Sequence, residues 1–98
     1  VTGHVLAFTV DVQFPRSQSL KEKRSQLRPV IEGARNRFCV SVAETDHQDT
    51  WQRSEIVFVV VSSNLGVAEQ QVDEIARFVW SFPELAVLHE HRQWMEMD

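Results

Sequence analysis

Ninety-eight residues, 43% hydrophobic and 24% charged, are enough for one modest core and too few for two, so a single domain over residues 1–98 is expected. The longest apolar run, residues 56–61, is far short of the roughly 20 residues a membrane-spanning helix needs, and neither a secretory leader nor a second cysteine to pair with Cys39 is present, which together point to the cytoplasm. The formal charge of −4 is unevenly spread: seven of the ten basic residues lie between positions 16 and 37 against only Glu22 and Glu32, a local +5.

Residues 5–14 alternate Leu6, Phe8, Val10, Val12 and Phe14 with Ala7, Thr9, Asp11 and Gln13, the period of a half-buried strand, and Pro15 ends it. Ser19 stands three residues before Glu22, the spacing of a capping box, so a helix begins at about Leu20. Leu20, Leu27, Ile31, Ala34 and Phe38 make its core stripe, with Lys21, Arg24, Arg28 and Arg35 to one side as a basic flank. Pro29 removes a helical hydrogen bond and crowds the preceding turn, which predicts a kink or a break near residues 25–28.

Residues 38–45 read as a second strand and 46–52 as the loop after it. Residues 55–62 read as a third strand whose apolar side chains on both faces are the mark of a strand covered twice. Asn64 caps a second helix carrying Ala68, Val72, Ile75, Ala76, Val79 and Phe82 inward and Glu69, Asp73 and Glu74 outward, stopping before Pro83. Residues 86–94 read as a charged edge strand. This βαββαβ order predicts an α+β ferredoxin-like sandwich: a four-stranded antiparallel sheet, first and third strands central, both helices on one face.

Four blocks in order, Ser19-Leu20-Lys21-Glu22-Lys23-Arg24, Arg35-Asn36-Arg37-Phe38, Val40-Ser41-Val42-Ala43-Glu44, and Asp46-His47-Gln48-Asp49 with Trp51-Gln52, resemble the YlxP-like family of small bacterial proteins, a domain of unknown function. The resemblance covers most of the chain. It implies a ferredoxin-like fold and a gene neighbourhood shared with translation initiation and ribosome maturation factors, and it implies no reaction.

Two surfaces stand out. Lys21, Lys23, Arg24, Arg28, Arg35 and Arg37, with Arg53 beyond the loop, form a candidate site for RNA phosphates or a ribosomal component, since basic side chains along a helix neutralise backbone charge whatever the base sequence. Asp46, His47, Gln48, Asp49, Trp51 and Gln52 form a candidate partner-binding loop, because exposed aromatics anchor interfaces. The bland reading of that loop has the aspartates making Asx turns and Trp51 burying its ring. Its carboxylates and imidazole are too close in sequence to converge easily on a metal, so no metal and no cofactor is expected. Cys39 reads as a small buried hydrophobe, and His89 and His91 as same-side, half-buried edge residues. No nucleophile elbow or phosphate-cradling glycine loop occurs, which favours a non-enzymatic protein. The surplus of valine on the third strand suggests instead a homodimer through the sheet, making an oligomeric interaction module the alternative to RNA binding.

Overall fold

Alternation in the first strand fixes which side of the sheet is inside. Leu6, Phe8, Val10 and Val12 are fully buried, with half-buried residues between them, so one face of the strand carries the core. The computed structural model describes residues 3–97; Val1, Thr2 and Asp98, which the single-domain expectation includes, lie outside the described residues. The elements are β1 (Gly3–Gln13), α1 (Leu20–Phe38), β2 (Ser41–Asp46), β3 (Arg53–Ser62), α2 (Leu65–Trp80) and β4 (Ala86–Met97). The sheet order is β2-β3-β1-β4 with every pairing antiparallel, so β1 and β3 are central and the fold is the ferredoxin-like sandwich that the element order predicts.

Across the sheet Phe8 stands opposite Phe58, and Phe58 opposite Val42, so the core side chains of three strands meet in one row. Val30, Ala34, Val72, Ile75 and Val79 of the two helices close over that row. Among the described residues only this face is covered. Ile56, Phe58 and Val60 are buried, whereas Val59 is 36% and Val61 70% exposed, which corrects the expectation that β3 is covered on both sides. β3 is central by its hydrogen bonding, with strands on either edge; that says nothing about what lies above its second face.

Two boundaries also move. Phe38 closes α1 instead of opening a strand, and Cys39 follows it as a left-handed cap (φ 53°, ψ 43°) whose N–H donates to the Arg35 carbonyl at 3.1 Å. β2 therefore starts at Ser41. Cys39 is exposed, not buried, because a residue turning the chain out of a helix stands beyond the core stripe that Phe38 ends. α1 runs unbroken through Pro29, so the predicted break is absent. Pro29 and Ser25, whose carbonyl loses its helical partner, both lie on the exposed side, where water can serve that carbonyl.

At Gly33 a side chain of α2 presses against the backbone of α1. A Cβ there would lie 2.7 Å from Cζ of Phe78, and that ring is held edge-on between Phe38 (centroids 5.6 Å apart) and Phe82 (5.0 Å). Gly33→Val is expected to cost about 1–3 kcal/mol by overpacking, read as a lower urea midpoint with an unchanged slope. An unchanged midpoint would show that the Phe78 ring swings away freely.

Candidate nucleic-acid interface and the loop beside it

The start of α1 is fixed by its cap. Ser19 Oγ accepts from the Glu22 N–H at 3.1 Å, and the Glu22 carboxylate accepts from the N–H of Gln18 at 2.7 Å, one residue earlier than a strict capping box would have it. One turn on, Lys23 is fully buried. Its ammonium donates to the carbonyls of His47 (2.6 Å), Gln48 (3.3 Å) and Arg53 (3.0 Å) and pairs with Glu44 at 2.9 Å. Glu44 in turn accepts from the buried Ser54 hydroxyl at 2.7 Å.

Lys23 thus leaves the candidate phosphate-binding set, because an ammionium-bearing side chain with no exposed surface cannot reach an RNA phosphate. Its task is to tie α1 to the β2–β3 connection. The available signal was its spacing: Lys23 lies three residues after Leu20 and four before Leu27, inside the core stripe itself. A lysine at a core position needs partners, and the turn carbonyls supply them.

The rest of the basic set divides. Arg24, Arg28 and Arg35 line one open groove of about 220 Å³ together with Leu27, Ile31 and Glu32. Arg35 also donates to the Val42 carbonyl at 3.0 Å, which ties the C-terminal end of the groove to β2. Lys21 is exposed one turn before. Arg37 lies elsewhere, its guanidinium 5.4 Å from the Phe38 ring centroid and 5.9 Å from that of Phe78. Arg53 is bound through its guanidinium to both carboxylate oxygens of Asp11, at 2.9 and 2.7 Å, diagonally across the β1–β3 ladder, where Arg53 itself stands opposite Gln13. Both belong to different surfaces from the groove.

The 47–52 connection is lashed down from several sides. Gln52 donates its amide to the carbonyls of Pro15 (3.3 Å) and Ser17 (3.0 Å), and its own carbonyl accepts from Phe14 N–H at 2.9 Å. Gln52 is therefore structural rather than a free recognition group. Asp46 accepts from the N–H of its neighbour His47 at 2.7 Å, and His47 sits at φ 62° ahead of a tight turn closed by Thr50. Trp51 is 54% exposed, which corrects the expectation of a buried ring and leaves it, with Gln48 and Asp49, on the surface of this hydrogen-bonded connection.

His89 and His91 share the uncovered face of the sheet, opposite Asp11 and Thr9 on β1; both are exposed rather than half-buried. Among the described residues no group of three or more His, Cys, Asp or Glu side chains is arranged to hold a metal, and no helix is long and apolar enough to cross a membrane.

Fold and surface together define a small ferredoxin-like α+β protein with an arginine-lined helix flank beside a lysine-braced loop. Residues 5–92 match the model of the family described as a protein of unknown function, DUF503, and the chain belongs to that family. It is 37% identical over 76 residues to the uncharacterized protein YlxP of Bacillus subtilis (strain 168), an alignment covering 78% of this chain and 83% of that one. Among solved structures it is similar to LarC2, the C-terminal domain of a cyclometallase involved in the synthesis of the NPN cofactor of lactate racemase, at 10% identity and a TM-score of 0.52. All of this chain is covered there, but it spans only 58% of the LarC2 chain, and a likeness at that identity shows the fold alone. A putative antibiotic biosynthesis monooxygenase from Bacillus cereus is a further structural neighbour, at 12% identity and a TM-score of 0.48, covering 100% of this chain and 95% of the other.

Proposed function

We propose that the protein is a non-enzymatic accessory factor that binds structured RNA, alone or within a ribosomal particle, through the outer flank of α1. What supports the reading is the convergence of Arg24, Arg28 and Arg35 on one groove. Three guanidinium groups along about three turns of helix offer forked donors to successive phosphates, while Leu27 and Ile31 floor the groove. Lys21 extends the same flank, and Glu32 limits how far the anion can reach across it. The sheet is given no part: β3 turns Glu55, Val57, Val59 and Val61 to its uncovered face and so lacks the paired aromatics on which unstacked bases lie, which leaves recognition to phosphates and RNA shape.

Arg24→Glu with Arg28→Glu is expected to abolish binding of a structured RNA in fluorescence anisotropy. Replacing either arginine by glutamine is expected to weaken binding and lower the slope of log affinity against log salt by about 1. An affinity indifferent to salt and to both charge reversals would sink the reading.

A second reading rests on the exposure of Trp51 just after the 47–50 turn. There the protein is an interaction module, and a nuclease-resistant partner lost on Trp51→Ala distinguishes it from the first.

A further inference from the structure

The two edges of the sheet are treated differently. β2 is six residues long, carries a register shift between Glu44 and Asp46, and has its Val42 carbonyl engaged by Arg35. Those are the ordinary devices that blunt an edge. β4 is twice as long, has its own register shift only near its start, at Leu88, contains neither proline nor lysine, and has only Val87 and Arg92 as much as half-buried among its described side chains. Leu88 (49% exposed), Trp94 (51%) and Met95 lie along it, with Trp80 of α2 hydrogen-bonded to Glu90 at its border.

From the β4 side of this edge we infer that a second copy of the chain is the missing neighbour, pairing β4 to β4 antiparallel about a twofold axis at His91. A twofold normal to a continuous sheet keeps the faces in common, so residues opposite one another must both be even or both be odd, and the axis must pass through a residue. An axis at Glu90 or Arg92 sets that charge against its own copy. An axis at Gln93 faces Arg92 with Trp94 and Glu90 with Glu96, and one at Trp94 sets Arg92 opposite Glu96 but overlaps only residues 91–97 of β4, against 86–96 for an axis at His91. The axis at His91 sets Glu90 opposite Arg92 twice, His89 opposite Gln93, and Leu88 opposite Trp94.

The side chains on the helix-bearing face agree with this register. Glu90 uses one carboxylate oxygen for the Trp80 indole and Arg92 one guanidinium nitrogen for Asp73 (2.8 Å), so each retains a group for its opposite number. An open groove of about 440 Å³ lined by Trp80, Val87, Leu88, His89 and Glu90 lies where the second copy's Trp94 arrives. β4 shifts register between the partners of Asp11 and Val12, with Leu88 as its extra residue, so regular pairing ends there and the groove takes over. The product is an eight-stranded sheet with α2 of each copy flanking the seam, a surface distinct from the α1 groove and independent of the function proposed for it.

Sedimentation velocity over micromolar to sub-millimolar concentration tests the pairing. The unaltered chain is expected to dimerise. Glu90→Arg, which sets like charges opposite at two symmetric places, should raise the dissociation constant by roughly tenfold or more. Glu90→Arg combined with Arg92→Glu restores the opposition across the axis, though not the bridge to Asp73, and should bring the dimer back. Should Glu90→Arg lose its native circular dichroism, cysteine pairing decides: with Cys39→Ser as background, His91→Cys should form a disulfide-linked dimer under mild oxidation and His89→Cys should not. A strictly monomeric chain overturns the proposal. So does a dimer that ignores Glu90→Arg and falls apart on Val61→Asp, which would place the contact on the open sheet face, and so does a folded double variant that stays monomeric.

Discussion

Lys23→Met is expected to lower the stability of the fold by about 3–5 kcal/mol, a large share of the roughly 5–15 kcal/mol that holds a small domain together. Lys23 is fully buried, and four oxygen atoms depend on its ammonium: three backbone carbonyls in and after the β2–β3 connection and a carboxylate oxygen of Glu44. Methionine fills much of the volume and supplies no donor. Glu44 then keeps only the Ser54 hydroxyl, and the turn at His47 loses the contact that holds it against α1. Urea unfolding measures the effect directly, and a loss below about 1 kcal/mol would mean that water replaces the ammonium. Because the two charges act together, Lys23→Met with Glu44→Gln is expected to cost less than the separate changes added, by about 0.5–3 kcal/mol.

Phe58→Ala is expected to cost a similar amount, about 3–5 kcal/mol, whereas Val59→Ala one residue along should stay within about 1 kcal/mol. Phe58 is fully buried, its ring centroid 6.0 Å from that of Phe8, and it stands between Phe8 and Val42 in the central row of the core. Truncation opens a cavity under both helices. Val59 faces the uncovered side of the same strand. Thermal unfolding of the two variants separates them, since each kcal/mol moves the midpoint of a domain this size by roughly 4–8 °C. Equal losses would require the open face to be covered by something that this chain does not provide.

The elements were legible because each carries its own period. Alternation marks β1, a hydroxyl cap three residues before a glutamate marks the start of α1, and Asn64 accepting from the Val67 N–H at 3.1 Å marks α2 as its sequence predicts. What misled was local chemistry with two outcomes. Proline inside a helix breaks it when the freed carbonyl is buried and is tolerated when, as at Ser25, it faces water. Phe38 and Cys39 fit a strand pattern equally well, and only the left-handed cap at Cys39 assigns the first to the helix and the second to the turn.

The candidate site divides on the same principle. The βαββαβ order, the family, and a basic α1 opposite an acidic remainder can be read from the residues alone, because these depend on composition and on patterns among residues near in the chain. Which basic residue meets solvent depends on what the fold brings beside it. Only the tertiary structure placed the 47–52 turn over Lys23 and Asp11 beside Arg53, withdrawing both from the basic surface and leaving Arg24, Arg28 and Arg35 around one groove. It likewise decided that one face of β3 and the long edge of β4 stand open, since a strand's pattern records how apolar its faces are and not whether the chain has anything to lay against them.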